Sequence, residues 1–410
     1  MSRAVQADEL FDPKSPVFLA DPYPVLNELR EAAPVLHHER LERWFVTRHA
    51  EVRACLRDRR LGRNFRHVGT EEEFRAAPLD PLWQAFWEVE RWSLLWLEPP
   101  DHTRIRKLVA AAFTPKSVEE MRGPSERLAN ELLDTFLERG TMDLLYDFAQ
   151  PYSIGLICRW LGVPLDRHRD LLDWSHAMVK MYELDTTEAQ ARTAVEAAAA
   201  FRDYVLELIA ERRSSPQDDL VSGLVEACVD GERLSEAEIV STVIVLLNAG
   251  HEATVNTLGN GIRALMQHRD QWERVVSGEV PAVAAIEELI RYDPPLQLFE
   301  RWVLEEGVEV AGVPISRGEK VAMLFGAANR DPRAFAEPER FDVGRPNAAE
   351  HIGFGGGIHV CIGAPLARIE LEASLRALAS RCPSLELAEE PKRIPAFVIW
   401  GLESVEVTLR

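Results

Sequence analysis

The loop Phe354–Gly363, with the sequence FGGGIHVCIG, contains the thiol whose surroundings point most clearly to chemistry. Four of its ten residues are glycines, and Cys361 follows His359 by two positions. Glycine has no side chain to hold a ligand away, and it adopts backbone conformations that other residues avoid. The loop is therefore predicted to wrap closely around something that the cysteine also contacts.

Phosphate binding is the first function that a glycine-rich loop suggests, and the pattern here disfavours it. Gly353 and Gly355 fit the start of the dinucleotide fingerprint G-x-G-x-x-G, but Ile358 stands where its last glycine belongs. No strand is predicted before the loop, and the Gly-Lys-Ser/Thr of a Walker loop is absent.

Two roles for the Cys361 thiol remain open from the residues alone. It could act as a nucleophile with His359 as its base, although the base of such enzymes usually comes from elsewhere in the fold. It could instead be a metal ligand, because the predicted helix APLARIELEASLRAL begins shortly after it. The positive end of that helix would lower the pKa of the thiol. The glycines would then let the backbone press against a large flat ligand, as around an axial thiolate on haem iron.

A second group of polar residues interrupts the longest predicted helix. Ser235 with Glu238 three residues later is a capping box, and no proline occurs from there to His268. This helix would be about 50 Å long. Its first half is apolar on every side, so it is predicted to run through the core. Within it lies AGHEAT, from Ala249 to Thr254, whose glycine, acid and threonine are either a packing irregularity or a functional site.

Two pairs of charged residues share helix faces. His102 and Arg106 are four residues apart, and Glu288 and Arg291 are three apart. Alone, such pairs are usually exposed and contribute little to stability. The helix around Glu288 and Arg291 is apolar, however, and it ends before Pro294.

These residues belong to a chain whose pattern is mostly helical. Further helices are predicted over RLANELLDTFLERG and AAIEELIRYDPP. Strand patterns cluster in PVLHHERLERWFVTRH, predicted as a hairpin, and in RWVLEEGVEVAGVPISRGEKVAML. This order predicts a mainly α fold with a smaller β region. Because no linker or repeat divides the chain, residues 1–410 are predicted to form a single domain.

Composition excludes several classes of protein. The formal charge of −20 argues against a nucleic-acid-binding protein, which would carry a basic excess. The segment MSRAVQADELFDPKSP has no apolar run, so we expect no signal peptide, no membrane anchor and a cytoplasmic protein. The five cysteines are odd in number, scattered and form no CxxC pair, which argues against a disulfide framework or a structural zinc site. Small buried side chains are predicted for Cys55, Cys158, Cys228 and Cys382.

The motifs resemble those of the cytochrome P-450 superfamily, in its soluble bacterial branch. Its haem-binding signature F-x-x-G-x-[HR]-x-C-x-G is matched by Phe354, Gly357, His359, Cys361 and Gly363. The resemblance spans about residues 20–410, with the motifs in the family's order. It implies the cytochrome P-450 fold, whose long central helix crosses over the haem, and a haem b whose iron is held by Cys361 in the haem-thiolate loop 354–363.

The resemblance also implies roles for the charged residues. Contacts with the haem propionates are expected from His102, Arg106, Arg301 and His359. A buried charge triad under the haem, structural and not catalytic, is expected from Glu288, Arg291 and Arg340. Removing one member of such a network would leave the others unpaired, at a cost of about 3–5 kcal/mol.

The AGHEAT segment resembles the family's oxygen-activation motif A-G-x-[DE]-T-[TS]. Gly250 and Glu252 match it, but Ala253 replaces the threonine whose hydroxyl helps to deliver protons, and Thr254 follows. We predict that Thr254 bonds back to the carbonyl oxygen of Gly250. Protons are then expected from Glu252 through ordered water, or from a polar group on the substrate. The four residues Gly250, Glu252, Ala253 and Thr254 are the predicted catalytic set.

The implied activity is that of a haem-thiolate monooxygenase that inserts one oxygen atom of O₂ into a small hydrophobic or aromatic molecule. A mostly apolar pocket is predicted from aromatic segments, with core packing as the alternative for about half of them; these are Trp83, Phe86, Trp87, Trp92, Gln297–Phe299 and Ala396–Trp400. Electrons are expected from a separate ferredoxin and its NAD(P)H-dependent reductase, and the protein is expected to be a monomer. Steering of an acidic partner is expected from basic residues near the loop, such as Arg104, Lys107 and Arg368.

Two alternatives stay open. One is a peroxide-driven or radical-coupling haem-thiolate oxidase without net hydroxylation, which turnover with peroxide alone or a product lacking new oxygen would favour. The other is a non-catalytic haem-thiolate sensor or carrier. Glu252 argues against the second, since a carrier needs no acid at that place.

Overall fold

The computed structural model describes residues 7–409, most of which lie in helices. The α-helices are α1 (Ala7–Leu10), α2 (Pro16–Ala20), α3 (Tyr23–Ala32), α4 (His49–Cys55), α5 (Gln84–Glu90), α6 (Asp101–Ala112), α7 (Pro115–Glu119), α8 (Arg122–Leu137), α9 (Gln150–Leu161), α10 (His168–Val179), α11 (Glu188–Ser214), α12 (Leu220–Glu226), α13 (Glu236–Gln267), α14 (Arg269–Val276), α15 (Ala282–Tyr292), α16 (Phe325–Asn329) and α17 (Ala364–Arg381). A π-helix at Leu144–Ala149 leads into α9. The mainly α class predicted from the sequence is confirmed.

The β region is small and is built around one mixed sheet. The strands are β1 (Val35–His38), β2 (Arg43–Val46), β3 (Leu61–Gly62), β4 (Thr141–Asp143), β5 (Cys228–Val229), β6 (Glu232–Arg233), β7 (Leu298–Val303), β8 (Val308–Val310), β9 (Val313–Ile315), β10 (Lys320–Leu324), β11 (Glu386–Leu387) and β12 (Glu406–Thr408). The mixed sheet has the order β1-β2-β10-β7-β3, in which only β2 and β10 run parallel. The predicted hairpin is confirmed as β1 and β2, and β7 places Arg301 opposite Val321.

The long helix α13 matches its predicted extent closely. The Ser235 hydroxyl accepts a hydrogen bond from the N–H of Glu238, and the Glu238 carboxylate accepts one from the N–H of Ser235. This capping box satisfies two N–H groups that would otherwise lack partners at the helix start. The helix contacts α9, α11, α15 and α17, so it runs through the interior as expected.

Apolar packing joins distant parts of the chain. The largest cluster of buried apolar side chains contains residues from Phe86 to Leu409 and includes both α13 and α17. A second cluster lies against the mixed sheet. Within residues 7–409, no helix has both the length and the apolar character needed to cross a bilayer.

The prediction that four cysteines are buried is wrong for Cys228. The other three are buried, but Cys228 is exposed in β5, which pairs only with β6. The connecting turn has positive φ at Asp230 (55°) and Gly231 (83°). A two-stranded ribbon outside any larger sheet leaves one face open to solvent, and the cysteine lies on such a ribbon.

Candidate active site

The loop before Cys361 depends on two glycines. Gly355 and Gly357 have φ angles of +68° and +66°, in the left-handed region that other residues rarely adopt. A Cβ atom at Gly357 would lie 2.1 Å from the carbonyl oxygen of Leu56. The N–H of Cys361 donates to the carbonyl oxygen of Phe354 at 2.9 Å, which closes the loop. Glycine at 357 thus lets the loop pack against the segment that follows α4.

The Cys361 thiol lies at the start of α17, where the backbone N–H groups of Gly363 and Ala364 act to lower its pKa. Burial raises the pKa of the thiol, and this outweighs the opposing effect of those N–H groups and of the nearby Arg106 and Arg368 charges. The lowered pKa expected from the helix alone is therefore wrong. The side chain is nevertheless accessible. Both facts hold for a thiol that has protein around most of it but keeps one accessible face.

The four predicted anion-binding residues lie around this loop. The rings of His102 and His359 are 4.4 Å apart between centroids. Arg106 donates from Nη2 to the carbonyl oxygen of Val360, next to the cysteine, at 2.8 Å. Arg301 comes from β7 and is almost fully buried. Residues from α6, β7 and the thiolate loop are thus brought to one place.

Glu98, which the sequence analysis missed, connects this cluster. Its Oε1 accepts a hydrogen bond from the N–H of Arg63 at 2.5 Å, and it lies 3.1 Å from Nε2 of His359 and 3.9 Å from Nη1 of Arg301. Burial favours the neutral acid, yet the hydrogen bond and charge of His359 hold the pKa of Glu98 below its usual value. Its position two residues before the PDHTR stretch is the only signal in the sequence.

Three buried nitrogen atoms of the cluster have no hydrogen-bond partner within the described chain. They are Nε2 of His102 and both Nε and Nη2 of Arg301. Burial lowers the pKa of His102 to about 4 and that of Arg301 to about 10. An unpaired buried donor costs about 1–3 kcal/mol. Such donors suit a site whose ligand brings acceptor oxygens.

Two small side chains in the middle of α13 are accessible. Ala249 and Ala253 are four residues apart and accessible, although most of this helix is buried. Thr254 is buried, and its hydroxyl donates to the carbonyl oxygen of Gly250 at 2.9 Å, as predicted. At positions 253 and 254, the accessible side chain is therefore the methyl group of Ala253 and not the hydroxyl of Thr254.

Comparison with known proteins decides the family. A family model described as Cytochrome P450 matches residues 69–277 and 282–397. The chain belongs to the cytochrome P450 family. The polyketide biosynthesis cytochrome P450 PksS of Bacillus subtilis is 36% identical over 414 aligned residues, with 98% of each chain covered. The 6-deoxyerythronolide B hydroxylase of Saccharopolyspora erythraea is 39% identical over 385 residues, with 92% of each covered.

Solved P450 structures have the same fold. P450BioI in complex with an acyl carrier protein superposes with a TM-score of 0.88 at 32% identity, covering 96% of this chain and 99% of that one. The PksS structure gives a TM-score of 0.86 at 35% identity, covering 97% and 99%. The P450 fold, the monooxygenase class and the haem cofactor predicted from the sequence are confirmed.

The residues of this P450 fit a haem. Its two propionates are carboxylates, and the unpartnered nitrogen atoms of His102 and Arg301 are donors of the kind that carboxylates accept. The accessible Cys361 offers the thiolate that ligates iron in this family. The glycine loop leaves the backbone free to approach the macrocycle.

The charge triad of this P450 includes a different arginine from the one predicted. Arg291 donates from Nε and Nη2 to the two carboxylate oxygens of Glu288, at 2.6 and 2.8 Å, and both side chains are fully buried. The third member is Arg345, whose Nε lies 3.2 Å from Oε2 of Glu288. The prediction of Arg340 is wrong because its exposed side chain pairs with Glu337. Arg340 contributes only its carbonyl oxygen, which accepts from Nη2 of Arg345 at 2.7 Å.

Glu252 does not point along α13 but across to α10. Its Oε1 lies 3.2 Å from Nε2 of His176, a residue that the sequence analysis did not single out. Burial raises the pKa of Glu252 to about 7. His251, its neighbour in the chain, is fully buried, and burial lowers its pKa to about 3. The imidazole of His251 is therefore neutral at ordinary pH.

Glu370 is a second acid that the sequence analysis missed. It lies in α17, nine residues after Cys361, and Thr254 of α13 neighbours its carboxyl and acts to lower its pKa. It is buried, and burial raises its pKa to about 8, so the carboxyl is protonated at neutral pH. Because α17 also carries Glu372 and three arginines, nothing in the sequence singles out Glu370. The contact joins the helix behind the thiolate to the oxygen-side helix.

The residues predicted to form the pocket walls separate into a buried and a partly buried group. Phe86, Phe397 and Trp400 are buried, as is Gln297, whose amide donates to the hydroxyl of Tyr23 at 3.2 Å. For these four, core packing is the correct alternative. Leu298 and Val398 are buried as well, and the partly buried members are Trp83, Trp87, Trp92, Phe299, Ala396 and Ile399.

One group of partly buried aromatic rings is held by Arg63. Its guanidinium carbon lies 4.2 Å from the ring centroids of both Trp96 and Phe299. The ring of Trp87 packs against that of Trp96 at 5.2 Å. Arg63 also donates to the carbonyl oxygen of Glu300 at 2.7 Å, so one cation fixes rings from two segments of the chain.

Proposed function

We propose that this P450 inserts one oxygen atom of O₂ into a mostly apolar small organic molecule, with Cys361 as the axial ligand of the haem iron. The observation that carries the proposal is the accessible Cys361 thiol beside the unpartnered nitrogen atoms of His102 and Arg301. When bound, haem supplies the activation of O₂ that oxidises the substrate.

In this proposal the charged cluster holds the haem propionates. Arg301 and His102 donate from nitrogen atoms that the protein leaves unpaired. His359 is oriented by Glu98, whose carboxylate lies 3.1 Å from Nε2. Arg106 is anchored to the carbonyl oxygen of Val360 and adds positive charge next to Cys361.

Proton delivery in this proposal does not use a hydroxyl at position 253. Ala253 has none, and the hydroxyl of Thr254 is engaged by Gly250. Glu252 is the acid of α13 that lies next to the accessible Ala253. Because its pKa is raised, a large fraction of its carboxyl groups is protonated near neutral pH. The proton is delivered from Glu252 through water, or it comes from a hydroxyl of the substrate itself.

The substrate class that we propose is a large apolar molecule that bears hydroxyl or carbonyl groups. Half-buried rings such as Trp87 and Phe299 supply apolar contact area. Substrate hydroxyls would compensate for the missing threonine. Two relatives, named for polyketide biosynthesis and for 6-deoxyerythronolide B hydroxylation, support a secondary metabolite of this kind.

We further propose that a ferredoxin and its NAD(P)H-dependent reductase supply electrons to a monomeric, single-domain cytoplasmic protein. The basic residues expected to steer the ferredoxin are already ion-paired. Nζ of Lys107 lies 2.5 Å from Asp230, Nε of Arg368 lies 2.6 Å from Glu287, and Arg104 pairs with Glu238. A partner must compete with these acids, so we expect the three cations to affect the association rate more than the affinity.

The experiment uses the haem-loaded protein with a surrogate ferredoxin and reductase. Compounds are first screened for a low-to-high-spin shift of the haem band, and those that bind are oxidised under isotopically labelled O₂. One labelled oxygen atom in the product supports the proposal. A product without new oxygen, or turnover that needs only peroxide, would instead identify the oxidase alternative.

A further inference from the structure

Three potential metal ligands converge between α10 and α13, away from Cys361. The ligand atoms of His176, His251 and Glu252 all lie within 4.8 Å of one another. His251 is fully buried, and neither of its ring nitrogens has a hydrogen-bond partner in the described chain. A buried imidazole with two unsatisfied nitrogens is costly unless something binds it.

The contact between His176 and Glu252 has the spacing of two ligands rather than the geometry of a hydrogen bond. Nε2 of His176 and Oε1 of Glu252 are 3.2 Å apart, yet Oε1 has no hydrogen-bond partner in the described chain. Two ligand atoms about 2.0–2.1 Å from a tetrahedral zinc ion lie about 3.3 Å apart. The pair is therefore spaced as adjacent ligands of one ion would be.

We propose that His176, His251 and Glu252 form a binding site for a divalent transition metal ion of the zinc type. Two imidazoles and one carboxylate are a common ligand set for Zn²⁺, with a fourth position open to water. Two further charges lie near the three ligands, a negative one on Asp173 and a positive one on Lys180. Because these two charges oppose each other, the net negative charge that attracts a cation comes from Glu252. The half-exposed side chain of His176 gives an ion a route in from solvent.

The bound ion would affect turnover because it coordinates the Glu252 carboxylate. A metal-bound carboxylate cannot hold the proton that the proposed relay needs, and the ion would also tie α10 to α13. Zn²⁺ is therefore expected to inhibit O₂-dependent turnover while leaving the Cys361 thiolate spectrum unchanged. This effect on turnover rests on the proposed function; metal binding itself does not.

The first test measures Zn²⁺ binding to the haem-loaded protein by competition with a chromophoric chelator, without any turnover. We expect one Zn²⁺ per chain, and affinity lowered by at least about tenfold in His176→Ala. Glu252→Gln should lower it as well. His67→Ala removes an exposed histidine outside the cluster and should leave the affinity unchanged. Mg²⁺, which prefers oxygen ligands, should not compete.

Two results would overturn the site. One is no Zn²⁺ binding by the wild-type protein, and the other is equal affinity in the wild type and His176→Ala. Product formation with and without Zn²⁺ then tests the effect on turnover. If bound Zn²⁺ leaves product formation unchanged in the wild type, the metal site stands but its control over Glu252 is refuted.

Discussion

Single replacements at Glu288, Arg345 and Arg340 distinguish the observed triad of Glu288, Arg291 and Arg345 from the one expected by resemblance. The variants are Glu288→Ala, Arg345→Ala and Arg340→Ala. Arg345→Lys is the matched control, because it keeps the charge but loses the planar fork that binds several acceptors at once.

The contacts of each residue predict how much unfolding free energy each variant should lose. Glu288→Ala leaves the fully buried Arg291 charge without its carboxylate, which costs about 3–5 kcal/mol of unfolding free energy. Arg345→Ala leaves Glu288 paired with Arg291 but removes donors to Glu288 and to the carbonyl oxygens of Ala336 and Arg340. Hydrogen bonds to a charged group contribute about 1.5–3 kcal/mol, so this loss should be of that order. Arg340→Ala removes an exposed pair and should change stability by less than about 0.5 kcal/mol.

The assay is denaturant unfolding of the haem-loaded variants, with haem retention measured from the Soret band. Proteins with bound cofactors do not unfold in two states, so unfolding midpoints and haem content are compared directly. The expected order of destabilisation is Glu288→Ala, then Arg345→Ala, then Arg345→Lys, with Arg340→Ala indistinguishable from the wild type. A stable, haem-loaded Glu288→Ala protein, or a larger loss for Arg340→Ala than for Arg345→Ala, would refute the reasoning.

Three further predictions concern α13 and its contact with α17. Ala253→Thr should raise the amount of product formed per NAD(P)H consumed, and it should do so most for apolar ligands, because the new hydroxyl replaces one that only polar substrates bring. If the wild type forms the same amount of product per NAD(P)H with every ligand, substrate assistance is contradicted. Glu252→Ala should slow product formation under O₂, whereas Thr254→Ser should change it little, since serine can make the same bond to the Gly250 carbonyl; comparable rates in both variants would be inconsistent with the relay. Glu370 has a pKa raised by burial to about 8, so its stabilising effect is complete below its unfolded pKa and is lost as pH rises through about 8. The midpoint difference between Glu370→Gln and the wild type should therefore grow in favour of the variant from about pH 4.5 to pH 8; a pH-independent difference would show that the carboxyl is not held neutral.

Features that depend on residues a few positions apart could be predicted from the sequence. The capping box of Ser235 and Glu238 located the start of α13, because a cap depends on residues three apart. The bond from Thr254 to the carbonyl of Gly250 followed from the four-residue spacing of a helix. Spacing likewise placed Glu288 and Arg291 on one face of α15.

Contacts between distant segments could not be predicted in this way. Glu98 and His359 are 261 residues apart, and nothing in either segment specifies the other. Arg340 and Arg345 lie in a loop without regular periodicity, so the sequence does not tell which side chain turns towards Glu288. The pKa of Cys361 was mispredicted for a related reason: the helix effect is local, but the burial that outweighs it comes from the whole fold.

Iron ligation by Cys361 is the central claim, and the carbon monoxide complex of the reduced protein tests it most directly. The wild type should show the strongly red-shifted Soret band that a thiolate ligand produces. Cys361→Ser should lose this band, while Cys158→Ser, which changes a buried thiol of α9, should keep it. Retention of the red-shifted band in Cys361→Ser, or its loss in a folded Cys158→Ser protein, would contradict the assignment.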